Sequence, residues 1–207
     1  MKTAMNDHYF TPQPGTEHRP YEFQAELRGR TYSFQSDAGV FSKGGVDLGS
    51  RLLIDSLPLQ GGEVVLDLGC GYGPIGIVAA ELVGPTGQVY MVDVNERAVD
   101  LARRNVEANG ITNAHVVVSN GLAALSGLSF DWVLSNPPIR AGKKVFYPML
   151  TDAYHALKPG GCLLVVIRTK QGAKSLQAYL AELAGNCTTV AMKGGYRILQ
   201  CCKHPRA

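Results

Sequence analysis

The chain lacks an apolar run long enough to cross a membrane, and residues 1–10 are polar and contain no apolar signal segment. The five cysteines are odd in number and lack the spacing of metal ligands. These absences predict a cytoplasmic protein with reduced thiols, no bound metal and no membrane partner. A strong charge imbalance is also missing, since a formal net charge of +3 permits a nucleic-acid partner without requiring one.

The length of 207 residues fits one domain with a sizeable core. Residues 1–20 are rich in proline and predict a flexible arm, whereas residues 21–207 predict a single domain. Within that domain, residues 21–60 predict a small β-hairpin followed by an entry helix, because alternating apolar residues give way to helical spacing. Residues 61–207 then predict the core.

Short apolar strands alternate with helices throughout this predicted core. Strands are predicted at 64–68, 89–92, 116–118, 132–134 and 163–167, and helices at 74–83, 96–109, 147–157 and 172–183. Residues 188–192 and 196–201 predict a terminal antiparallel hairpin. This alternation predicts an α/β fold, with a mostly parallel seven-stranded sheet covered by helices on both faces.

Glycines cluster between the first core strand and its helix, at Gly69, Gly71 and Gly73. Glycine permits a tight turn and lets backbone N–H groups approach a ligand closely. The spacing from Gly71 to Gly76 also matches Gly-x-Gly-x-x-Gly, which alone would suit a nicotinamide-dependent oxidoreductase. Asp67, however, lies inside the strand end, where a carboxylate suits a cationic amino group better than a pyrophosphate.

Polar residues follow the next two predicted strands. Asp93 ends the second strand, where an acid can hold a ribose diol, and Val94 follows it. Asn120 and Gly121 follow the third strand, at a position that could meet the edge of an adenine. Together with the glycine loop, these residues predict a cavity for a nucleotide-like cofactor.

A rigid segment, Asn136-Pro137-Pro138-Ile139, follows the fourth predicted strand. Proline fixes φ and has no N–H to donate. The side-chain oxygen of Asn136 and the carbonyl of Pro137 can therefore both accept hydrogen bonds from one external NH2 group. This arrangement indicates an enzyme that orients an amine attached to a flat, electron-poor ring.

The glycine loop, Asp93, Asn120 and the Asn-Pro-Pro segment together resemble class I S-adenosylmethionine-dependent methyltransferases. The segment Gly-Val-Phe-Ser-Lys-Gly-Gly-Val-Asp-Leu-Gly-Ser at 39–50 is similar to the entry segment of the methyltransferase small domain family. Within that family the chain looks like the group that methylates guanine N2 in small-subunit (16S) ribosomal RNA. The resemblance covers roughly residues 20–202 and implies a Rossmann-like fold.

The resemblance also implies roles for single residues. Those implied to bind S-adenosylmethionine are Phe41, Ser42, Asp47, Asp67, Gly69, Cys70, Gly71, Gly73, Asp93, Val94, Asn120, Gly121 and Asn136. Those implied to act in catalysis are Asn136, Pro137, Pro138 and Ile139. The family departure is Ile139, because many amino-methyltransferases have an aromatic residue there to stack on the base.

Basic residues that would emerge beside this site are Arg140, Lys143, Lys144, Arg168 and Lys170. They predict contacts to RNA phosphates, although a solvated charged face would give the same pattern. The implied partner is ribosomal RNA or the small ribosomal subunit. Adenine N6 and a protein glutamine amide remain alternative acceptors. An oxidoreductase and a non-catalytic RNA-binding protein remain alternatives of other classes.

Overall fold

The computed structural model describes residues 19–37 and 44–205 of the protein. The strands are β1 Tyr21–Leu27, β2 Arg30–Ser36, β3 Val64–Leu68, β4 Gln88–Asp93, β5 Ala114–Val118, β6 Phe130–Ser135, β7 Leu157–Arg168, β8 Thr188–Lys193 and β9 Tyr196–Cys202. The helices are α1 Leu48–Asp55, α2 Pro74–Val83, α3 Glu96–Ala108, α4 Lys143–His155 and α5 Ala173–Ala184. The predicted N-terminal hairpin is β1 and β2.

The seven core strands form one sheet in the order β5-β4-β3-β6-β7-β9-β8. Strands β3 to β7 run parallel, and β9 runs antiparallel to both β7 and β8. The chain winds outward from β3 in both directions, so the topological switch lies between β3 and β6. A crevice at the carboxyl ends of the strands is expected there.

Helices cover both faces of this sheet, as the sequence predicts. One buried apolar cluster joins α1, α2 and α3 to the sheet and also takes in the side chains of the N-terminal hairpin. The second cluster joins α4 and α5 to the opposite face. The central strands β3 and β6 and residues 162–167 of β7 are largely buried on both sides, so they read as apolar runs, whereas the edge strand β8 keeps exposed side chains.

The hairpin is attached to the core through two asparagines, Asn105 on α3 and Asn109 at its C-terminal cap. Asn105 is fully buried, accepts a hydrogen bond from the Gln35 N–H at 2.7 Å, and donates to the carbonyls of Gln35 (2.9 Å) and Tyr72 (2.8 Å). Asn109 makes the same exchange with the backbone of Ser33. These amides pair with the free edge of β2 as a neighbouring strand would, which protects that edge.

We expect Asn105→Ala to lower the free energy of unfolding by about 2 kcal/mol, because three backbone groups lose their partner in a buried place. Chemical denaturation followed by circular dichroism measures the change. Arg104→Ala, at the neighbouring exposed position on α3, is the matched control. Equal stability of the two variants would contradict the attachment role of Asn105.

Helix α4 differs from the sequence prediction of residues 147–157. It begins at Lys143, after Gly142 with a φ of +87°, and Pro148 lies inside it. The predicted stop at Pro159-Gly160-Gly161 is also wrong, because those residues belong to β7, which begins at Leu157 beside Phe130. The N–H of Gly160 and the carbonyl of Gly161 both bond to the backbone of Lys203, so this stretch is held against the residue that follows β9.

Two of the five cysteines form a disulfide, which corrects the prediction of reduced thiols for this pair. Cys162 on β7 and Cys202 on β9 are register partners in the antiparallel pair, with Cα atoms 4.0 Å apart. Their sequence separation of 40 residues gives no hint of that pairing. Cys70, Cys187 and Cys201 are free thiols.

Candidate functional site

A cavity of about 370 Å³ opens at the carboxyl ends of β3, β4, β5 and β6, between α1 and α4. Its volume lies within the usual range for small-molecule sites. The predicted site residues on its wall are Asp47, Gly69, Cys70, Gly71, Asp93, Val94, Asn120, Gly121, Asn136, Pro137 and Pro138. The structure therefore brings most of the predicted residues together, although they come from five separate loops and elements.

The glycine loop after β3 forms the floor of the cavity. Gly69 and Gly71 have φ values of +76° and +57°, which L side chains rarely adopt, and a Cβ at either position would meet no atom within 4 Å. The N–H groups of Gly69 and Cys70 both bond to the Val92 carbonyl, which fixes the loop against the end of β4. The loop is thus a rigid, open cradle beside the cavity.

Cys70 also lines the cavity, but burial raises the pKa of its thiol well above the usual value. The thiol therefore stays protonated near neutral pH and is a poor nucleophile. The raised pKa therefore argues against a covalent role for Cys70 in the chemistry of the cavity.

Gly73 and Asp67 lie behind the wall rather than on it, which departs from the predicted cofactor contacts. Gly73 begins α2 with a φ of +97°, and a Cβ there would lie 2.7 Å from Met91 Cε. Asp67 is fully buried, and its Oδ2 accepts a hydrogen bond from the Gly76 N–H at 2.8 Å. Both residues therefore fix the start of α2, and Asp67 Oδ1 is left without a hydrogen-bond partner.

Burial raises the pKa of Asp67 to about 7, and the hydrogen bond from Gly76 and the charge of Asp93 are smaller influences. Because the folded-state pKa lies above the unfolded value, the stabilisation is complete below about pH 4 and is lost as the pH rises through about 7. We expect the free energy of unfolding to fall by at least about 1 kcal/mol between pH 5 and pH 8.

Asp67→Asn should remove most of this fall, because the amide oxygen still accepts from Gly76 but the side chain no longer ionises. Urea unfolding of both proteins at the two pH values measures the difference. A wild-type slope that persists in the variant would assign the pH dependence to other groups.

Asp93 ends β4 at the cavity wall. Its Oδ2 accepts a hydrogen bond from the Gly71 N–H and its Oδ1 accepts one from the Asn95 N–H, both at 2.9 Å. Burial raises the pKa of Asp93, and these backbone hydrogen bonds oppose that rise. A carboxylate has about four acceptor positions, and Val94 gives a third backbone hydrogen bond, so about one position remains for a ligand. A ribose diol fits this requirement, because it offers O–H donors.

Asn136 joins the far wall of the cavity to α1. Its Nδ2 donates to Ser50 Oγ at 3.1 Å, and Ser50 Oγ donates to Asp47 Oδ2 at 2.6 Å. The other carboxylate oxygen of Asp47 accepts from the N–H groups of Gly49 and Ser50 and so caps α1. The sequence reasoning missed Ser50, since its segment was noted only as part of the family's entry region.

The Pro137 carbonyl is only partly available for the predicted role as a second acceptor. It already accepts a hydrogen bond from the Ile139 N–H at 2.8 Å, which leaves one lone pair free. Ile139 itself begins a single 3-10 turn, Ile139–Ala141, and packs against the apolar cluster of α4 and α5. It is absent from the cavity lining, and its role in catalysis stays a prediction.

Val145 and Met149 on α4 line the cavity instead. The sequence reasoning began this helix at residue 147 and so left Val145 outside it, and it gave Met149, inside the predicted helix, no role in the site. Val145 is 53% exposed, which is unusual for a valine and leaves its side chain available to a ligand. Phe41 and Ser42, also predicted to bind the cofactor, lie outside the described residues.

The predicted basic residues lie at the same edge of the sheet and divide into two kinds. Lys143 Nζ bonds to Ser175, and Arg168 Nε bonds to the hydroxyl of Tyr196 while its guanidinium stacks over that ring. Arg140, Lys144 and Lys170 are exposed as well, but make no side-chain hydrogen bond or ion pair with the described residues. The second set is the one available to a polyanion.

The residues that line the cavity do not support the alternative of a nicotinamide-dependent oxidoreductase. Tyr154 and Lys158 have the Tyr-x-x-x-Lys spacing of some hydride-transfer enzymes, a spacing that the sequence reasoning overlooked. In the structure Tyr154 is buried in α4, and Lys158 Nζ pairs with Asp131 at 2.8 Å. Neither residue lines the cavity.

Two further absences concern only the part of the chain that the structure describes. Residues 19–37 and 44–205 contain no group of three or more histidine, cysteine or acidic side chains that could hold a metal ion. Within the same ranges, every helix is too short or too polar to cross a membrane.

The chain is similar to proteins of one family. The family model of the methyltransferase small domain matches residues 31–200. An uncharacterized protein of Bacillus subtilis, YbxB, is 43% identical over 201 residues, which cover 95% of this chain and 98% of that protein. Ribosomal RNA large subunit methyltransferase G of Pectobacterium atrosepticum is 34% identical over 187 residues, which cover 86% of this chain and 48% of that enzyme.

A solved structure gives the same result for the fold. The 16S rRNA N2 G1207 methyltransferase RsmC of Thermus thermophilus, in complex with AdoMet and guanosine, matches with a TM-score of 0.80 and 28% identity. The match covers 89% of this chain and 51% of that one, so the chain spans about half the length of the named ribosomal RNA methyltransferases. The predicted Rossmann-like fold is confirmed. The chain belongs to the methyltransferase small domain family.

Proposed function

We propose that the protein transfers a methyl group from S-adenosylmethionine to the exocyclic amine of a base in ribosomal RNA. The expected target is guanine N2 in the small-subunit RNA. The observation that carries this proposal is a single cavity that places the Asp93 carboxylate on one wall and the Asn136 amide on another. The first suits a nucleoside cofactor and the second suits an NH2 group that must be oriented beside it.

S-adenosylmethionine is the cofactor of this methyltransferase, and the residues of the cavity fit it. Asp93 has about one acceptor position left for a ribose hydroxyl, and the loop of Gly69 and Gly71 leaves open space where side chains would otherwise stand. When bound, the cofactor supplies a methyl carbon whose bond to sulfur breaks as its bond to the amine nitrogen forms, leaving S-adenosylhomocysteine.

The residues of the chain act by positioning. The amine of guanine is a poor nucleophile because its lone pair is delocalised into the ring. A hydrogen bond from that amine to Asn136 Oδ1 localises the lone pair and aims it, with the free lone pair of the Pro137 carbonyl as a second acceptor. Transfer needs no strong general base beside Asn136. The proton leaves to water once alkylation has made the nitrogen acidic.

Relatives support ribosomal RNA as the substrate and guanine N2 as the acceptor atom. The Thermus enzyme is named for N2 of a guanine in 16S RNA and was crystallised with guanosine. The Pectobacterium enzyme is named for the large subunit. Of these two names only the first gives a base and an atom, so ribosomal RNA has the broader support, and the base and the subunit are both finer parts of the proposal.

Transfer of a radiolabelled methyl group tests the proposed acceptor atom and the proposed ribosomal subunit. Small subunits, large subunits and their free RNAs from a strain that lacks the enzyme are incubated with labelled cofactor, beside a release-factor-like protein. Nucleoside and amino-acid analysis should recover N2-methylguanosine from small-subunit RNA, and free nucleosides should not react. N2-methylguanosine recovered from large-subunit RNA would contradict only the proposed subunit and would leave the proposed base and atom in place. Label found only as N6-methyladenosine or N5-methylglutamine would overturn the proposed acceptor.

The exposed cations beside the cavity give a separate expected result. Arg140→Ala with Lys144→Ala should weaken RNA binding and lower the slope of log affinity against log salt by about 1.5, since each phosphate contact contributes about 0.7–0.9. The matched control removes two cations from another helix, Arg103 and Arg104 on α3. Titrations at several salt concentrations measure both slopes. Equal slopes in the two double variants would leave Arg140 and Lys144 as solvated charges.

A further inference from the structure

A chain of hydrogen bonds runs from Asp47 through Ser50 to Asn136, and chemistry fixes its direction. A carboxylate has no hydrogen to donate, and Asp47 accepts three hydrogen bonds, including the 2.6 Å contact from Ser50 Oγ. The single proton of the Ser50 hydroxyl is therefore committed to Asp47. Toward Asn136, 3.1 Å away, the Ser50 oxygen can only accept.

This direction determines which end of the Asn136 amide faces Ser50. If the amide were rotated by 180°, its oxygen would face a hydroxyl oxygen without a proton, and two acceptors would lie in contact. The nitrogen must therefore face Ser50, so the oxygen faces away from it. No described group donates a hydrogen bond to Asn136 Oδ1. The amide thus presents an unused acceptor from the cavity wall.

Packing holds the chain of hydrogen bonds in place. Ser50 is 3% exposed, and the preceding Gly49 lies so close to the Tyr196 ring that a Cβ there would be 2.8 Å from it. Asp47 caps the same helix through two backbone N–H groups. Because the first turn of α1 is pinned from both sides, the Ser50 hydroxyl cannot follow a rotating Asn136 side chain.

We propose that Ser50 is a positioning residue, which locks the Asn136 amide with its oxygen toward the acceptor and so selects a substrate group that donates hydrogen. The proposal rests on the proposed function, because it names the residue that orients the acceptor group. An NH2 group satisfies the locked oxygen, whereas a ring carbonyl in the same place would face another acceptor. The selectivity of the site for amines therefore depends on a residue that need not touch the substrate.

The test compares Ser50→Ala, Ser50→Thr and Asp47→Asn with Ser56→Ala, a control at the opposite end of α1, where Ser56 Oγ bonds only to the Leu52 carbonyl. Ser50→Ala should lower kcat about tenfold with little change in cofactor affinity, and Ser50→Thr should recover most of it. Asp47→Asn keeps a good helix cap but can donate to Ser50, so it should also lower kcat. Ser56→Ala should match the wild type.

A second readout does not need turnover. The side-chain NH2 of Asn136, assigned by its loss in Asn136→Ala, should give two sharp amide proton signals in nitrogen-15 NMR spectra. In Ser50→Ala these signals should broaden or shift, and in Ser50→Thr they should return. Unchanged signals and unchanged kcat in Ser50→Ala would overturn the proposal. Altered signals in a protein that methylates no RNA would uphold the positioning role while the proposed function fails.

Discussion

Asn136→Ala is expected to lower the rate of methyl transfer by about a hundredfold or more, with cofactor affinity almost unchanged. The loss of one preorganised hydrogen-bonding group at a reacting centre has an effect of this size in other enzymes. Asn136 lies on the wall opposite Asp93, and its only described hydrogen bond goes to Ser50. The variant therefore removes the acceptor for the amine and leaves the expected cofactor contacts intact.

Single-turnover transfer to the RNA substrate measures the rate, and calorimetry with S-adenosylmethionine measures affinity. A double variant, Asn136→Ala with Ser50→Ala, is the internal control. If Ser50 acts only through Asn136, its removal has no further effect once Asn136 is gone. Near-normal turnover in folded Asn136→Ala would remove the amine-orienting role and the positioning role of Ser50 together.

Much of the fold was predictable because the core strands and helices are regular and carry clear start and end signals. The strand at Val64–Leu68 and the helix at Pro74–Val83 have the predicted bounds. Here an apolar run is followed by glycines that only a tight turn accepts, and then by a proline at the first helical position. The local sequence preferences and the tertiary structure agree at this point, so the strand and the helix predicted from the sequence are the ones found in the structure.

The stretch at residues 143–161 was read wrongly because local and tertiary preferences disagree there. Pro148 is tolerated inside α4, and Pro159 with its glycines continues into β7 because the neighbouring strand and Lys203 supply partners. The error hid Val145, whose place on the cavity wall depends on the four residues of helix that the reading omitted. The wrong start of α4, which was based on local propensity, thus left Val145 out of the candidate site residues.

Contacts between distant parts of the chain could not be predicted from the sequence for another reason. Ser50 and Asn136 are 86 residues apart, and Cys162 and Cys202 are 40 apart. Periodicity describes one element at a time, and it does not say which side chains meet once the sheet has formed. The motif predicts that Asp67 lies near the cofactor, but it gives no sign of the hydrogen bond that the Asp67 carboxylate accepts from the Gly76 N–H.

The strongest expected effect on cofactor binding comes from Asp93. Asp93→Ala should weaken S-adenosylmethionine binding by about 1–3 kcal/mol, the range for losing charge-assisted hydrogen bonds. The carboxylate acts twice, because it fixes the N–H of Gly71 in the cradle and keeps about one acceptor position for a ribose hydroxyl. Asp93→Asn keeps one oxygen acceptor, so its affinity for S-adenosylmethionine should lie between those of the wild type and Asp93→Ala.

Calorimetric titration of both variants, with melting curves to establish that they are folded, measures the loss. Asp100→Ala removes an exposed carboxylate from α3 and is the control for net charge. Affinity for adenosine alone separates the two actions of Asp93, since adenosine carries the ribose but lacks the methionine part that would lie near Gly69 and Gly71. An equal loss for adenosine and for the full cofactor places the effect at the ribose. A loss confined to the full cofactor would place it in the glycine loop, and unchanged affinity in a folded Asp93→Ala would remove Asp93 from the site.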